Sequence, residues 1–317
     1  MSRRVIVDTD TAGDDTQALL LACLTDRLDV EAVTVVAGNV PFEYEVENAK
    51  YTLSLADSED VPVYEGAREP LLKDWEYATE VHGEGGLGGD LFPDTGIESA
   101  EGFAPDEIAR RCREAPGEVT LLCIGPLTNL ALAHAREPDL PDLVDEVWVM
   151  GGAVNCRGNV TPAAEYNVWV DPDAAKRVFD AFDLTLVDWG LCLAASVLDH
   201  ETVERVTELN TDLAEFFTET TASVLEFTRD RQGIEGVTQP DSLAAALLAY
   251  PELREASGTY HVDVDEREGV TRGYTSVDIE GVTDGRARTT VIERADAARF
   301  HAATLAMLAE RDPDAAF

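Results

Sequence analysis

A short stretch near the start of the chain, residues 5–15 (VIVDTDTAGDD), constrains the fold more than any other part of the sequence. Its three leading β-branched residues predict a buried strand, and the apolar residues from Leu19 onward predict a helix. A strand that ends in acids before a turn and a helix places those acids at the carboxyl edge of a sheet, where open α/β folds bind ligands. We therefore expect an α/β protein whose ligand site contains these acids.

Four residues of this stretch carry carboxylates: Asp8, Asp10, Asp14 and Asp15. Carboxylates held so close together raise one another's pKa unless a cation neutralises them. No Cys or His lies between them, so a hard, oxygen-binding cation is expected: Ca²⁺ first, because it accepts roughly six to eight oxygen ligands, and Mg²⁺ second. Because 63 of the 317 residues are acidic, a solvent-exposed acidic cluster is the competing explanation.

Strand and helix patterns alternate along most of the chain. Strands are predicted at 4–9, 30–37, 61–64, 118–124, 146–150 and 184–187. Helices are predicted at 15–27, 43–54, 105–113, 128–136, 172–182, 240–248 and 295–308. Such alternation is typical of a parallel sheet covered on both faces. The expected fold is a single-domain, Rossmann-like α/β fold over residues 1–317, with an open, mostly parallel sheet, helices on both faces and a small C-terminal β-element at 260–264 and 275–279.

The composition argues against several classes of protein. The net charge of −39 is spread along the chain, which disfavours nucleic-acid binding and is interpreted as adaptation to high salt. No run of 18 apolar residues occurs, and the sequence enters its first strand directly, so a cytoplasmic protein without membrane association is expected. The five scattered cysteines form no CxxC motif and are interpreted as free thiols in a reducing compartment.

Polar residues recur where predicted strands end. Asn39 follows the second strand, the pair Thr128-Asn129 follows a Gly-Pro turn, and Asn159, Glu165 and Asn167 follow the strand that ends at Met150; Asp241 opens a later helix. Carboxylates and amides that converge on one sheet edge suit a polyhydroxyl ligand such as a sugar, because each hydroxyl can donate to a carboxylate and accept from an amide. Each Asn taken alone is more readily explained by turn or capping chemistry, whereas the set together favours a ligand site.

Several motifs match, in order, those of one enzyme family. They are DTDTAGDD at 8–15, VTVVAGN at 33–39, His82-Gly83, GPLTN at 125–129, the segment from Asn159 to EYN at 165–167, Asp241, and RGYTSVD at 272–278. Together they resemble the calcium-dependent nucleoside hydrolases, including the inosine-uridine preferring branch, and the resemblance runs essentially end to end. It implies hydrolysis of the N-glycosidic bond of ribonucleosides to ribose and free base, and a homodimer or homotetramer.

The resemblance also implies a role for each matching residue. The carboxylates of Asp10, Asp15 and Asp241, with the backbone carbonyl of Ile124, would bind Ca²⁺. Asp10 would act as general base towards the ion-bound water, and Asn39 would orient the water or the sugar. The residues implied to contact substrate are Asp14, Asn159, Glu165, Asn167 and Asp241 on the ribose hydroxyls, Met150 beside the ribose, and His82 towards the base.

The sequence departs from the family pattern at three places. Thr11-Ala12 replaces Pro-Gly, and Tyr166 replaces Phe. Pro240 stands where the inosine-uridine-preferring branch carries a His before the last Asp, which removes the usual proton donor to the leaving base. Gln239, Arg229 and Arg231 are the substitute base contacts that the sequence offers.

Two other functions fit parts of the sequence. A haloacid-dehalogenase-type phosphatase also begins with a strand and Asp-x-Asp, but Ala12 departs from its motif, and only three lysines are available for its downstream Lys. A catalytically silent ribose- or nucleoside-binding protein on the same scaffold is consistent with Pro240, whereas the retained Asp10 favours an enzyme.

Overall fold

The computed structural model describes residues 2–89 and 91–317 and is built on a nine-stranded sheet. The strands are β1 (Arg3–Thr9), β2 (Leu28–Val35), β3 (Val63–Glu65), β4 (Val119–Cys123), β5 (Val147–Met150), β6 (Leu184–Val187), β7 (Val197–Asp199), β8 (Gly236–Thr238), β9 (Arg254–Val264), β10 (Thr275–Asp278) and β11 (Thr289–Ala295). Their order across the sheet is β10-β9-β11-β6-β5-β4-β1-β2-β3, while β7 and β8 form a separate antiparallel pair.

Helices connect the strands. They are α1 (Gly13–Leu24), α2 (Phe42–Leu55), α3 (Thr79–His82), α4 (Ala104–Glu114), α5 (Thr128–Arg136), α6 (Leu140–Leu143), α7 (Tyr166–Val170), α8 (Pro172–Ala181), α9 (Trp189–Ala195), α10 (His200–Thr207), α11 (Asp212–Phe227), α12 (Pro240–Ala249) and α13 (Ala297–Leu308). A π-helical turn at Thr228–Gln232 continues α11. No helix in the described ranges is both long and apolar enough to cross a bilayer.

The sheet is buried on both faces, which explains its apolar strands. In β1, Val5 and Val7 pack into one core with α1, α2 and α12, whereas the intervening Ile6 packs into a second core with α4, α5 and α8. Successive residues of a strand point to opposite faces, so a strand between two helical layers must be apolar at every position. The prediction of an α/β fold with a mostly parallel sheet and helices on both faces is confirmed.

The site is positioned by the reversal of strand order at the centre of the sheet. β1 pairs in parallel with β2 on one side and with β4 on the other, so the chain winds away in both directions from the β1–β4 boundary. Ligands of doubly wound sheets bind outside the carboxyl ends of the strands at such a boundary. Asp10 directly follows β1, and Ile124 directly follows β4.

The C-terminal β-element is more extensive than the sequence predicts. The hairpin of β9 and β10 is present, but β9 begins at Arg254, and β11 pairs antiparallel with β9 and parallel with β6. The hairpin is thereby joined to the main sheet. The long segment 66–103 between β3 and α4 contains the short helix α3, and its residue Asp90 lies outside the described ranges.

Candidate active site

A cleft of about 540 Å³ opens at the β1–β4 boundary. Nine of the eleven residues to which the family resemblance assigns a role line it: Asp14, Asn39, His82, Ile124, Met150, Asn159, Glu165, Asn167 and Asp241. The two remaining ones, Asp10 and Asp15, are almost completely buried and are joined to the lining residues by hydrogen bonds and charge. Side chains that are distant in sequence therefore meet at one edge of the sheet, as the turns after successive strands require.

Asp10 lies between two glycines. A Cβ atom at Gly38 would stand 2.0 Å from Asp10 Oδ2, and one at Gly125 would stand 2.8 Å from Oδ1. Both carboxylate oxygens are buried and accept no hydrogen bond within the described part of the chain. Burial raises the Asp10 pKa well above its usual range, and the charges of Asp15 and Glu45 raise it further. A carboxylate in this state is strongly destabilised unless a positive charge joins it.

Asp15 is held by hydrogen bonds at the start of α1. Its Oδ1 accepts from the Thr9 hydroxyl at 2.6 Å, and its Oδ2 accepts from Ala12 N at 3.2 Å. The amide Nδ2 of Asn39 donates to Asp15 Oδ2 and to the Asp10 carbonyl, both at 3.3 Å. Burial, and next the charge of Asp14, raise the Asp15 pKa to about 8 despite these hydrogen bonds.

The start of α12 brings the last acid to the cluster. Pro240 occupies the first turn of this helix, where its missing N–H costs nothing, and Asp241 follows it. The backbone N–H of Asp241 donates to Asp14 Oδ2 at 3.1 Å. Burial raises the pKa of Asp241 well above its usual range, with further contributions from the charges of Asp14, Asp15 and Asp10.

The opposite wall carries amide and carboxylate groups. Asn167 Nδ2 donates to the Ile124 carbonyl at 2.8 Å and to the Met150 carbonyl at 3.3 Å. Glu165 caps α7 by accepting from Asn167 N at 2.9 Å and also from Gly152 N at 2.8 Å. Its pKa is raised to about 7 because burial outweighs these hydrogen bonds. Asn159 Oδ1 accepts from the backbone N–H of Tyr166 at 2.9 Å.

The donor set suits a hard cation. Within residues 2–89 and 91–317, no three Asp, Glu, His or Cys side chains are already drawn together around a common point. The charges of Asp10, Asp15 and Asp241 act on one another and add to the raised pKa values of Asp10 and Asp241, so a cation bound among them would be stabilised by all three. No Lys or Arg lines the cleft among the described residues. The orphaned Asp10 oxygens, Asp15, Asp241 and a backbone carbonyl form an all-oxygen set of the kind that Ca²⁺ prefers.

The outer part of the cleft has an aromatic wall, of which the sequence motifs single out Tyr166 alone. Its described members are Tyr77, Tyr166, Trp169, Trp189 and Phe227, and Gln232 and Thr228 lie beside them. Trp189 follows β6 just as Asn39 follows β2, and that positional rule alone identifies it. Tyr77 lies in the loop after β3, Tyr166 and Trp169 lie in α7, and Phe227 ends α11. At these places no local pattern distinguishes a cleft residue from a core residue.

The substitute base contacts suggested by the sequence are not at the cleft surface. Gln239, Arg229 and Arg231 are absent from its described lining, and Gln232 stands in their place. Arg231 instead approaches Glu80 across the cleft mouth, at 4.0 Å between exposed side chains. His82 is the histidine that lines the cleft in the described structure, and its imidazole packs against Gly13, with burial lowering its pKa.

The fold and the site together define a Rossmann-like α/β protein with a carboxylate-rich cleft at the point where its strand order reverses. The chain belongs to the inosine-uridine preferring nucleoside hydrolase family, whose model matches residues 5–302. The family membership that the sequence motifs predict is thus confirmed, and the phosphatase alternative is excluded.

Similar proteins are enzymes of the same kind. A pyrimidine-specific ribonucleoside hydrolase, RihA, of Photobacterium profundum is 37% identical over 294 residues, which cover 92% of this chain and 94% of that protein. The RihA of Salmonella gallinarum is 33% identical over 313 residues, covering 98% of both chains. This chain likewise hydrolyses the N-glycosidic bond of ribonucleosides and is an N-glycosyl hydrolase.

Solved structures of similar proteins share the whole fold. A plant nucleoside hydrolase, PpNRh1, superposes with a TM-score of 0.90 at 30% identity, covering 98% of this chain and 99% of that one. A purine-preferring ribonucleoside hydrolase from Gardnerella vaginalis superposes with a TM-score of 0.89 at 27% identity, covering 97% and 98%. These relatives are named for different substrate preferences, so the family alone leaves the nucleobase open.

Proposed function

We propose that this hydrolase acts on pyrimidine ribonucleosides, with Asp10 as general base and with Ca²⁺ held by Asp10, Asp15, Asp241 and the Ile124 carbonyl. The observation that carries the assignment of Asp10 is its carboxylate, which is buried and accepts no hydrogen bond among the described residues, at the switch point of the sheet. The ionised form of such a group is stabilised by a bound cation, and the group can accept a proton from a nearby water.

Calcium bound there would lower the pKa of a coordinated water and bind the ribose diol. Asp10 takes a proton from the attacking water. A cation held by the neighbouring acids would offset their negative charge and would thereby lower the Asp10 pKa towards the range of a general base. The Asn39 amide, fixed on Asp10 and Asp15, orients the water or the sugar. As the C–N bond breaks, positive charge develops on the ribosyl group, and the surrounding carboxylates stabilise it.

The ribose is gripped by residues on both walls. Asp14 binds a hydroxyl beside Asp241, while Asn159, Glu165 and Asn167 hold the outer hydroxyls. The backbone hydrogen bonds to Glu165 and Asn159 support this assignment, because they fix both side chains before substrate arrives. Met150 packs against the sugar from the end of β5.

The base is proposed to lie among the aromatic residues, with Gln232 reading its polar edge. Gln232 Oε1 is buried and accepts no hydrogen bond within the described residues, so an N–H of the base or of bound water can satisfy it. The preference for pyrimidines rests on the relatives at 33–37% identity named pyrimidine-specific. Pro240 cannot donate a proton, and His82 is the histidine placed near the base.

Ribose release from uridine, cytidine, inosine and adenosine, measured with Ca²⁺ present, tests this proposal. We expect kcat/KM for uridine and cytidine to exceed that for inosine by at least about tenfold, a difference of about 1.4 kcal/mol. Gln232→Leu should lower kcat/KM for uridine by about tenfold or more, because a buried polar contact is lost. The exposed Arg229→Leu serves as the control. A higher kcat/KM for inosine than for uridine would overturn the pyrimidine assignment.

Some predictions concern the whole protein and come from the sequence or the family resemblance. We propose that the chain is one domain, that it forms a homodimer or homotetramer, and that it functions in the cytoplasm. Adaptation to high salt likewise stays a prediction based on the net charge of −39.

A further inference from the structure

The turn that follows β2, residues 38–40, determines where the Asn39 amide lies. Gly38 packs directly on the Asp10 carboxylate, where a Cβ atom would be 2.0 Å from Oδ2. Asn39 Nδ2 reaches the Asp10 carbonyl and Asp15 Oδ2, each at 3.3 Å. These contacts are long for hydrogen bonds, so a displacement of the turn by a few tenths of an ångström would break them.

A single buried side chain, Glu45 in α2, holds this turn by its backbone N–H groups. Glu45 Oε1 accepts from Gly38 N at 3.0 Å and from Val40 N at 3.1 Å, which are the N–H groups on either side of Asn39. The side chain is completely buried. Its neighbours along the helix, Glu43 and Glu47, instead form ion pairs nearer the surface with Arg68 and Lys50.

The carbonyl groups of the same turn are held from the opposite side. Gly38 O accepts from Trp75 Nε1 at 3.1 Å and from the Tyr166 hydroxyl at 2.8 Å. Asn39 O accepts from Ala78 N at 2.7 Å. The turn is therefore fixed between α2 and the cleft wall. Among the side-chain contacts described, Glu45 is the residue of α2 that holds the turn.

Capping of α2 alone does not account for Glu45. Its second oxygen, Oε2, is buried and accepts no hydrogen bond among the described residues, so the carboxylate carries a desolvation cost that a neutral Ser, Asn or Gln would avoid. It also lies close enough to Asp10 and Asp15 for their charges to act on one another. The presence of a carboxylate at this position despite its desolvation cost indicates that Glu45 contributes to the site.

We propose that Glu45 is a positioning residue for hydrolysis: by accepting from the N–H groups of Gly38 and Val40, it fixes the Asn39 amide on Asp10 and Asp15. This inference rests on the proposed function, because it assumes that Asn39 takes part in the reaction. Glu45 acts through Asn39 and has no contact of its own with substrate.

A double-mutant cycle on kcat tests the proposal. Glu45→Met removes the acceptor at similar volume and should lower kcat at least about tenfold, with KM changing less than about threefold. Asn39→Ala should lower kcat at least as much. In Asn39→Ala/Glu45→Met, kcat should be within about twofold of that of Asn39→Ala alone, because residues that act as a unit are non-additive. Glu45→Gln keeps one acceptor oxygen and should recover most of the lost kcat.

Glu43→Met, two positions along the same helix and exposed, is the matched control and should leave kcat unchanged. If Glu45→Met does not fold, Glu45→Asp provides the same cycle, because its carboxylate is one methylene too short to reach both N–H groups. Fully additive losses in kcat, or wild-type kcat in Glu45→Met, would overturn the role of Glu45. Wild-type kcat in Asn39→Ala would instead show that the proposed function of Asn39 is wrong.

Discussion

The buried carboxylate of Asp10 restricts which residues can surround it. Its carboxylate fits between two glycine backbones, Gly38 and Gly125, and a methyl group at either position would collide with it. Neither glycine has a side chain next to Asp10, and the two carboxylate oxygens of Asp10 accept no hydrogen bond from the described part of the protein. This arrangement is unfavourable for an isolated fold and favourable for a group that must bind a cation and accept a proton.

Replacing Asp10 with Asn separates its chemical role from its structural one. We expect kcat to fall by about 10²–10⁴-fold, the usual loss for a general base, because the amide cannot take the proton of water. The thermal midpoint of the metal-free variant should be no lower than that of the wild type, because a buried charge is removed. Ribose release and circular dichroism measure the two effects. Asp74→Asn, an exposed acid outside the cluster, is the control, and near-normal turnover of Asp10→Asn would exclude it as the base.

Asp15 gives the metal-free protein a characteristic pH dependence. Burial and the charge of Asp14 raise its pKa from an ordinary value of 3.8 to about 8 in the folded state. The folded state therefore favours the protonated form, so the stabilisation is fully present below about pH 4 and is lost as the pH rises through about 8. In urea titrations, Asp15→Asn should flatten this decline between about pH 4 and pH 8. A wild-type decline that the substitution leaves unchanged would contradict the assignment.

Most polar site residues could be predicted from the sequence, whereas Glu45 could not. Asn39, Asn159 and Asn167 follow strands, and the carboxyl ends of parallel strands lie at one edge whatever the tertiary details. Glu45 stands in a helix between two other acids, Glu43 and Glu47, and its complete burial depends on the turn after β2 that packs over it. A local pattern contains no information about that contact.

At the scale of elements, Asp171 connects three parts of the chain. It is fully buried and caps α8 through Ala174 N at 2.9 Å. It also accepts from Leu71 N at 2.8 Å and from the Thr128 hydroxyl at 2.7 Å, so it links the loop after β3 and the start of α5. The buried carboxylate thereby satisfies three donors that have been removed from water.

Asp171→Ala should lower the free energy of unfolding by about 2–4 kcal/mol, because a cap is lost and buried donors are left without acceptors. Asp199, the exposed cap of α10, offers the matched control, since it accepts from Thr202 N alone among the described backbone donors. Asp199→Ala should cost about 1 kcal/mol. Urea denaturation of both variants gives the comparison, and equal losses would show that burial and the additional donors contribute nothing.

Local sequence patterns predict the ends of a helix or strand where packing against the core determines those ends. Helix α5 and strand β6 begin and end at the predicted residues, since each is apolar towards the core and bounded by turn residues. No local sequence pattern predicts helix α9 or strand β11. β11 is half polar, and it is a strand because it fits between β9 and β6. Pairing between strands distant in sequence cannot be read from either strand alone.

At the scale of the whole molecule, the net charge of −39 is the feature with the largest expected effect on how stability depends on salt. Like charges spread over one surface repel, and salt screens them over about 10 Å at 0.1 M and about 3 Å at 1 M. The thermal midpoint should therefore rise by several degrees between about 0.05 and 2 M NaCl at fixed Ca²⁺ concentration. Calorimetry measures it, and Tris chloride at matched ionic strength controls for sodium-specific effects. A constant or falling midpoint would show that self-repulsion does not limit stability.

The continuous sheet also bears on the proposed single domain. Strands from residue 3 to residue 295 share one sheet, and both cores contact it. In the same calorimetric scans, we expect one transition whose calorimetric and van't Hoff enthalpies agree per folding unit. Two resolved transitions in the wild type would indicate separate domains.

We propose above that Asp10, Asp15 and Asp241 hold a calcium ion at the boundary between β1 and β4. A crystal structure of the protein grown with Ca²⁺ tests it most directly. We expect a single ion bound by these three carboxylates and the Ile124 carbonyl, at about 2.3–2.6 Å from each oxygen. A crystal grown at millimolar Ca²⁺ that shows the three side chains apart and no ion among them would contradict it.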